Sequence, residues 1–188
     1  KGPQVFKGYK SNIDNAYAWV EDGWFNTGDI GYMDGEGFLY LSGRAKDLII
    51  RSGHNIDPEL IEEALNAHSN VVISIAIGLP DPYAGELPMA YVVKVAHSNV
   101  TEQELINHCA SVMSERAAIP KRIEFIDAMP LTAVGKIFRP TLRQNIAEQV
   151  ICELLAEKSM DGTVTSEIEK KRGLVLRIDV TDKAKIGE

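Results

Sequence analysis

The chain has 188 residues, 45% hydrophobic and 25% charged, with a formal net charge of −7. That length builds one domain of ordinary size, or one domain and a piece of another, with the apolar content of a globular protein. The negative balance argues against nucleic acid as a general partner, because phosphate binding needs a basic field, yet it leaves room for local cationic sites. No apolar run approaches the ~18 residues that a membrane-spanning helix needs, and no signal peptide leads the chain. Cys109 and Cys152 are the only cysteines. They form neither a close-spaced ligand pair nor a disulfide framework, which fits a reducing, cytoplasmic setting. Both are expected inside helices as small buried hydrophobes.

Residues 1–42 are rich in glycine, aromatics and turn signals, such as Asp22-Gly23-Trp24-Phe25 and Asp34-Gly35-Glu36-Gly37. The pattern predicts small strands joined by tight turns. Gly43 and Arg44 mark a boundary, beyond which strands and helices alternate. Residues 48–50 predict a strand that ends at Ser52-Gly53-His54-Asn55. Asp57 is placed as an N-cap with Pro58 in the first helical turn, and Leu60, Ile61, Ala64 and Leu65 share one face of the helix that follows. Residues 71–77 and 88–95 read as strands around a turn at 81–86. Thr101-Glu102-Gln103-Glu104 is a capping box opening a helix with Leu105, Ile106, Cys109 and Met113 inward.

Residues 122–126 predict a last core strand. Pro140 starts a helix with Leu142, Ile146, Val150 and Leu154 at four-residue spacing. Beyond Gly162 a hairpin is expected to turn at residues 170–173, with Leu174, Leu176, Ile178 and Val180 along one face of its second strand. The fold class is α+β: a short mixed sheet flanked by helices, preceded by a β-rich tail of a neighbouring domain. The start at Lys1, with strand-like sequence almost at once, reads as a chain cut from something longer.

Lys136 lies in the stretch Pro130-Leu131-Thr132-Ala133-Val134-Gly135-Lys136-Ile137-Phe138-Arg139. Upstream stand Thr27-Gly28-Asp29 and Gly43-Arg44-Ala45-Lys46-Asp47. A carboxylate held by a glycine turn can accept two hydrogen bonds from a vicinal diol such as a ribose; alone, Asp29 is explained more cheaply as a turn aspartate. Gly53, lacking Cβ, lets the backbone approach a ligand closely. His54 has no obvious carboxylate orienter in sequence to make it an acid or base, since the nearby Asp57 is placed as a helix cap. His68, His97 and His108 read as helix-end or surface histidines. Taken singly, Lys136 is an exposed loop lysine and Lys46 a solvated charged turn.

In this order, the three motifs resemble the carboxy-terminal part of the adenylate-forming (AMP-binding) enzymes, over about residues 2–145. That family includes acyl-CoA synthetases, luciferases and the adenylation domains of peptide synthetases. The resemblance implies that residues 1–43 are the end of a large amino-terminal domain, with residues 2–6 and Gly8-Tyr9 as its closing strand. Residues 44–145 would be the mobile carboxy-terminal lid, and residues 146–188 an extension of helix and hairpin. It further implies Lys136 as the catalytic lysine, Asp29 and Arg44 as nucleotide-binding residues, Lys46 as the hinge, and Ser52 and Gly53 lining the CoA channel. Ile137 and Phe138 would anchor the lysine loop.

The implied reaction uses ATP with Mg2+ to adenylate a carboxylic acid, most naturally a fatty acid, and CoA then takes the acyl group. The implied partners are the large domain of the same polypeptide and these small molecules. The family's Ser/Thr/Gly-rich phosphate loop and its aromatic-Gly-x-Thr-Glu magnesium motif are not in these residues, so this piece alone is expected to be inactive. An adenylation domain of a peptide synthetase shares the motifs, but no Gly-Gly-x-Ser carrier signature follows Lys136. A luciferase-like oxidase would need a special acyl pocket. A non-enzymatic CoA- or partner-binding protein is the alternative from another class.

Overall fold

A computed structural model describes residues 1–169 and 172–181. Two compact units emerge, residues 1–47 and 48–188. In the first, α1 (Asn12–Ala18) is capped by Ser11, whose side chain accepts from the Asp14 N–H at 3.4 Å. β1 (Trp19–Val20) pairs with β2 (Trp24–Phe25), and β3 (Asp29–Met33) with β4 (Leu39–Arg44), both antiparallel. The β3–β4 turn is held by Asp34, whose carboxylate accepts from the Glu36 and Phe38 N–H groups at 3.0 and 2.9 Å. The rings of Phe6, Tyr9, Trp19 and Phe25 cluster at centroid separations of 4.8 to 5.9 Å.

Two expectations for this unit need correcting. Residues 2–6 form no strand but a turn, closed by the Val5 N–H to Gly2 C=O bond at 3.1 Å. The helix α1 was not foreseen. Its sequence has no apolar period and little helix propensity, so the cap and the aromatic cluster have to hold it.

The second unit is built on a five-stranded sheet. β5 (Ile49–Arg51) and β6 (His54–Ile56) form a hairpin, and the long hairpin of β7 (Val71–Asp81) and β8 (Gly85–Lys94) runs beside it, in the order β6-β5-β8-β7. β9 (Arg122–Phe125) adds to β8 in parallel. β7 and β8 read as almost unbroken apolar runs because both faces of the sheet are covered. On one face Ala76, Ala90 and Val92 pack with Ile61 and Leu65 of α2 (Pro58–Asn66) and Leu105 and Cys109 of α3 (Glu102–Val112). On the other, Ile75, Ile77, Met89 and Tyr91 meet Leu142 and Ile146 of α4 (Arg139–Glu157).

The helix starts follow the chemistry of their sequences. The Asp57 side chain accepts from the Glu59 N–H at 3.0 Å, with Pro58 in the first turn. Thr101 and Glu104 make the reciprocal capping box. Leu60 and Leu154, placed inward by periodicity, are 43% and 44% exposed. Cys109 is buried, which pushes its thiol up from 9.0 to about 11. Cys152, expected to be buried, is exposed on α4. His108 is no helix-end group: it lies within α3, with a ring nitrogen 3.0 Å from the Ala64 carbonyl.

α4 runs unbroken to Glu157 and leads to the antiparallel pair β10 (Gly162–Glu169) and β11 (Gly173–Val180). This ribbon rests on α4, where Gln144 donates to the Ser166 carbonyl at 2.9 Å and the Ser166 hydroxyl donates to Glu148. The expected turn includes Lys170 and Lys171, which lie outside the described residues, as do residues 182–188 of the expected extension. No helix among the described residues is long and apolar enough to cross a membrane.

Candidate functional site

In the first unit, Thr27-Gly28-Asp29 forms a turn pinned by its own side chains. Asn26 Oδ1 accepts from the Gly28 N–H at 3.0 Å, and Thr27 Oγ1 from the Asp29 N–H at 3.2 Å. Gly28 has φ +76°, a left-handed conformation that costs other residues strain. Asp29 then starts β3 directly opposite Arg44 at the end of β4. Arg44 Nε donates to Asp29 Oδ1 at 3.1 Å, with the side chains 66% and 31% exposed. A pair so exposed contributes at most about 1 kcal/mol, so a ligand can take over either partner cheaply. Lys46 is exposed in the turn that follows, one residue before this unit ends at Asp47. Tyr9, Tyr17, Phe25, Thr27, Gly28 and Lys46 line an open cleft of about 420 Å³ beside the turn.

In the second unit, residues 130–138 form a small hairpin. Leu131 and Ile137 bridge in antiparallel fashion, and the Phe138 N–H donates to the Pro130 carbonyl at 2.8 Å. The Thr132 N–H donates to the Lys136 carbonyl at 2.7 Å, and the Gly135 N–H to the Thr132 carbonyl at 2.9 Å. Gly135 has φ +79°. A three-residue loop ending in a left-handed glycine is what a type I turn with a glycine bulge produces. Lys136 follows that glycine with an exposed side chain, and its N–H donates to Thr132 Oγ1 at 3.0 Å. Ile137 is an anchor, packed into the apolar cluster under α4, whereas Phe138 is 39% exposed.

Ser52 and Gly53, at φ 50° and 82°, are the two central residues of a type I′ turn between β5 and β6. Contacts from several elements fasten this hairpin, among them the Ile50 N–H donating to Glu86 Oε2 at 2.8 Å. The Ser52 N–H donates to the Ala84 carbonyl at 2.7 Å, Arg51 to the Ala117 carbonyl at 2.7 Å, and His54 Nε2 lies 2.7 Å from Glu115 Oε1. His54 therefore has a carboxylate partner, 61 positions away, that its own neighbourhood in sequence does not reveal.

Asp29 and Arg44 are thus brought together, while Lys136 and the Ser52–Gly53 turn are held apart. The lysine hairpin is rooted by Ile137 in the α4 cluster, and the turn is tied beside Ala118 of the α2–α3 cluster. No local pattern in the sequence marks Glu62 as more than a helix-surface carboxylate. From α2 it meets Arg139 in a two-pronged ion pair, at 2.7 and 3.2 Å. Among the described residues no three His, Cys, Asp or Glu side chains converge as a metal site requires.

Residues 60–136 match the family described as AMP-binding enzyme C-terminal domain, a match that ends on Lys136. A marinolic acid–CoA ligase from Pseudoalteromonas sp. (strain SANK 73390) is 44% identical over 169 residues, 90% of this chain and 26% of the relative. A long-chain-fatty-acid–CoA ligase from Bacillus subtilis (strain 168) is 43% identical over 148 residues, 79% of this chain and 26% of the relative. The crystal structure of ATP-bound MatB from Rhodopseudomonas palustris superposes with a TM-score of 0.72 at 34% identity, over 77% of this chain and 29% of that one. The chain spans about a quarter of the length of the curated relatives it matches.

Proposed function

We propose, for a chain that belongs to the adenylate-forming enzymes and carries their carboxy-terminal domain, that the full-length protein is an AMP-forming acid–CoA ligase. The observation that carries this reading is Lys136: an exposed ammonium on a hairpin whose base is rooted in the core. In the first half-reaction a carboxylate oxygen attacks the α-phosphorus of ATP, and the bond to the bridging oxygen of pyrophosphate breaks. Two anions must meet, and negative charge grows on the phosphoryl oxygens. An ammonium delivered there offsets both effects, and loss of one such donor costs on the order of 10²–10³ in rate. In the second half-reaction the CoA thiolate attacks the acyl carbon, AMP leaves, and no lysine is needed between anions.

The other roles follow from placement. Asp29, steadied by its turn, accepts from the ribose hydroxyls, and Arg44 beside it contacts the same sugar. Lys46, at the last turn before the second unit, is the hinge that absorbs the change in φ and ψ. Ser52 and Gly53, open above the turn, line the path of the pantetheine arm. Because the lysine hairpin and this turn are anchored on different faces of the sheet, a lid that rotates would present one at a time. The division of the chain at 43/44 and 145/146 is part of this proposal. So are the inactivity of the chain without its large domain, a fatty acid as substrate, and a cytoplasmic location suited to two free cysteines.

The β3–β4 ribbon supports a missing neighbour, since Tyr32, Met33, Leu39 and Leu41 are all more than 60% exposed and an isolated two-stranded ribbon is marginal in water. The test is formation of pyrophosphate and AMP by the full-length protein with ATP, CoA and a panel of fatty, aromatic and short carboxylates. Turnover that requires both an acid and CoA supports the reading. No pyrophosphate with any acid contradicts it.

A further inference from the structure

The hairpin that carries Lys136 is tied down by more than Ile137. β7 is the outer strand of its sheet, and its outward-facing backbone is covered by side chains instead of another strand. Asn66 Oδ1 accepts from the Ser74 N–H at 2.8 Å, and Glu62 Oε1 accepts from the Ala76 N–H at 2.9 Å. Arg139 Nη1 donates to the Ala76 carbonyl at 2.9 Å and to Glu62 Oε1 at 2.7 Å, while its Nη2 reaches Glu62 Oε2 at 3.2 Å. Arg139 comes three residues after Lys136 and opens α4. The pair therefore wraps round the edge of the sheet, from α2 on one face to the root of the lysine hairpin at the other. The two side chains are only 21% and 14% exposed.

We propose that Arg139 and Glu62 are positioning residues for Lys136: their fork, closed on Ala76, fixes where the hairpin leaves the domain and so where the ammonium arrives. This rests on the reading of Lys136 as the adenylation lysine. Hairpin bonds set the shape of the loop but not its direction relative to the sheet; that direction is set where its far strand joins α4. A displacement of about 1 Å at a reacting centre can cost roughly 10²-fold in rate. Lysine in place of Arg139 keeps the charge but loses the planar fork. Gln in place of Glu62 keeps an acceptor for the Ala76 N–H and removes the charge.

The experiment measures both half-reactions of the full-length protein for Arg139→Lys, Glu62→Gln, Lys136→Ala and the double variant Lys136→Ala/Arg139→Lys. Adenylation is followed by pyrophosphate exchange, and thioester formation from supplied acyl-adenylate and CoA. The expected result is adenylation slowed by about tenfold or more in Arg139→Lys and Glu62→Gln, with thioester formation within roughly twofold of the parent. In the Lys136→Ala background, Arg139→Lys should then change adenylation no further, because residues that act as one unit are not additive. A purely structural edge contact would slow both half-reactions alike, or slow adenylation by the same factor in both backgrounds, and either result overturns the proposal. Adenylation lost in Lys136→Ala but intact in Arg139→Lys and Glu62→Gln overturns this inference alone. Adenylation untouched by Lys136→Ala removes the reading beneath it and this inference with it.

Discussion

Arg44 faces Asp29 across the β3–β4 ribbon, its Nε 3.1 Å from the carboxylate, so the two residues proposed to hold the ribose already hold each other. The pair aims the carboxylate, and being exposed it gives way at little cost. Replacing Asp29 by Ala removes hydrogen bonds to a charged acceptor worth about 1.5–3 kcal/mol. The expected outcome in the full-length protein is a KM for ATP raised by about 10- to 100-fold. The KM for CoA should not move, and steady-state kinetics with each substrate varied will show it.

Gly135 tests the shape of the lysine hairpin. Nothing lies within 4 Å of a Cβ built at this position, so the only obstacle to a side chain is φ +79°. Ala there costs about 1–2 kcal/mol of local strain, whereas Asn tolerates the left-handed region. Adenylation should fall in Gly135→Ala and largely return in Gly135→Asn, with thioester formation from supplied acyl-adenylate unchanged in both.

The turn at Gly53 should give the opposite pattern. Its Cβ position is also open within this unit, at φ +82°, so Gly53→Asn is compatible with the fold while filling space on the proposed pantetheine path. Thioester formation should slow by about tenfold, roughly the loss of one good contact, with adenylation preserved. Single-turnover measurement of each half-reaction distinguishes this from general damage.

The thiols give a prediction about the fold. Cys109 is buried and Cys152 exposed, so a thiol reagent at neutral pH should label Cys152 at once and Cys109 only after unfolding. Burial raises Cys109 from 9.0 to about 11 and Tyr91 from 10.0 to about 12. Both groups prefer their neutral forms in the folded state. Their contribution is therefore complete below about pH 9 and is lost as pH rises through the folded values. Thermal unfolding across pH 8 to 12 should show a falling Tm above about pH 9, and the fall should begin later in Cys109→Ala.

Local chemistry made much of this architecture readable. The Asp57-Pro58 cap, the Thr101–Glu104 capping box and the two-sided apolar runs of β7 and β8 are each decided by neighbours in sequence. The lysine loop was legible at its Gly135 turn, whereas the Leu131–Ile137 bridge that makes it a hairpin carries no local signal. β6 was not, because three residues entered through a two-residue turn carry no period to detect. Leu154 shares the four-residue spacing of Leu142 and Ile146 on α4 yet is 44% exposed, and the exposed Cys152 lies off that stripe. His54 with Glu115, and Glu62 with Arg139, join residues 61 and 77 positions apart, and no local pattern announces such pairs.

On this proposal one ammonium serves one half-reaction. The most direct test takes full-length Lys136→Ala and measures adenylation by pyrophosphate exchange beside thioester formation from preformed acyl-adenylate. Adenylation should fall by about 10²–10³-fold, with thioester formation nearly intact. Equal loss in both half-reactions, or adenylation at the parent rate, would contradict the proposal.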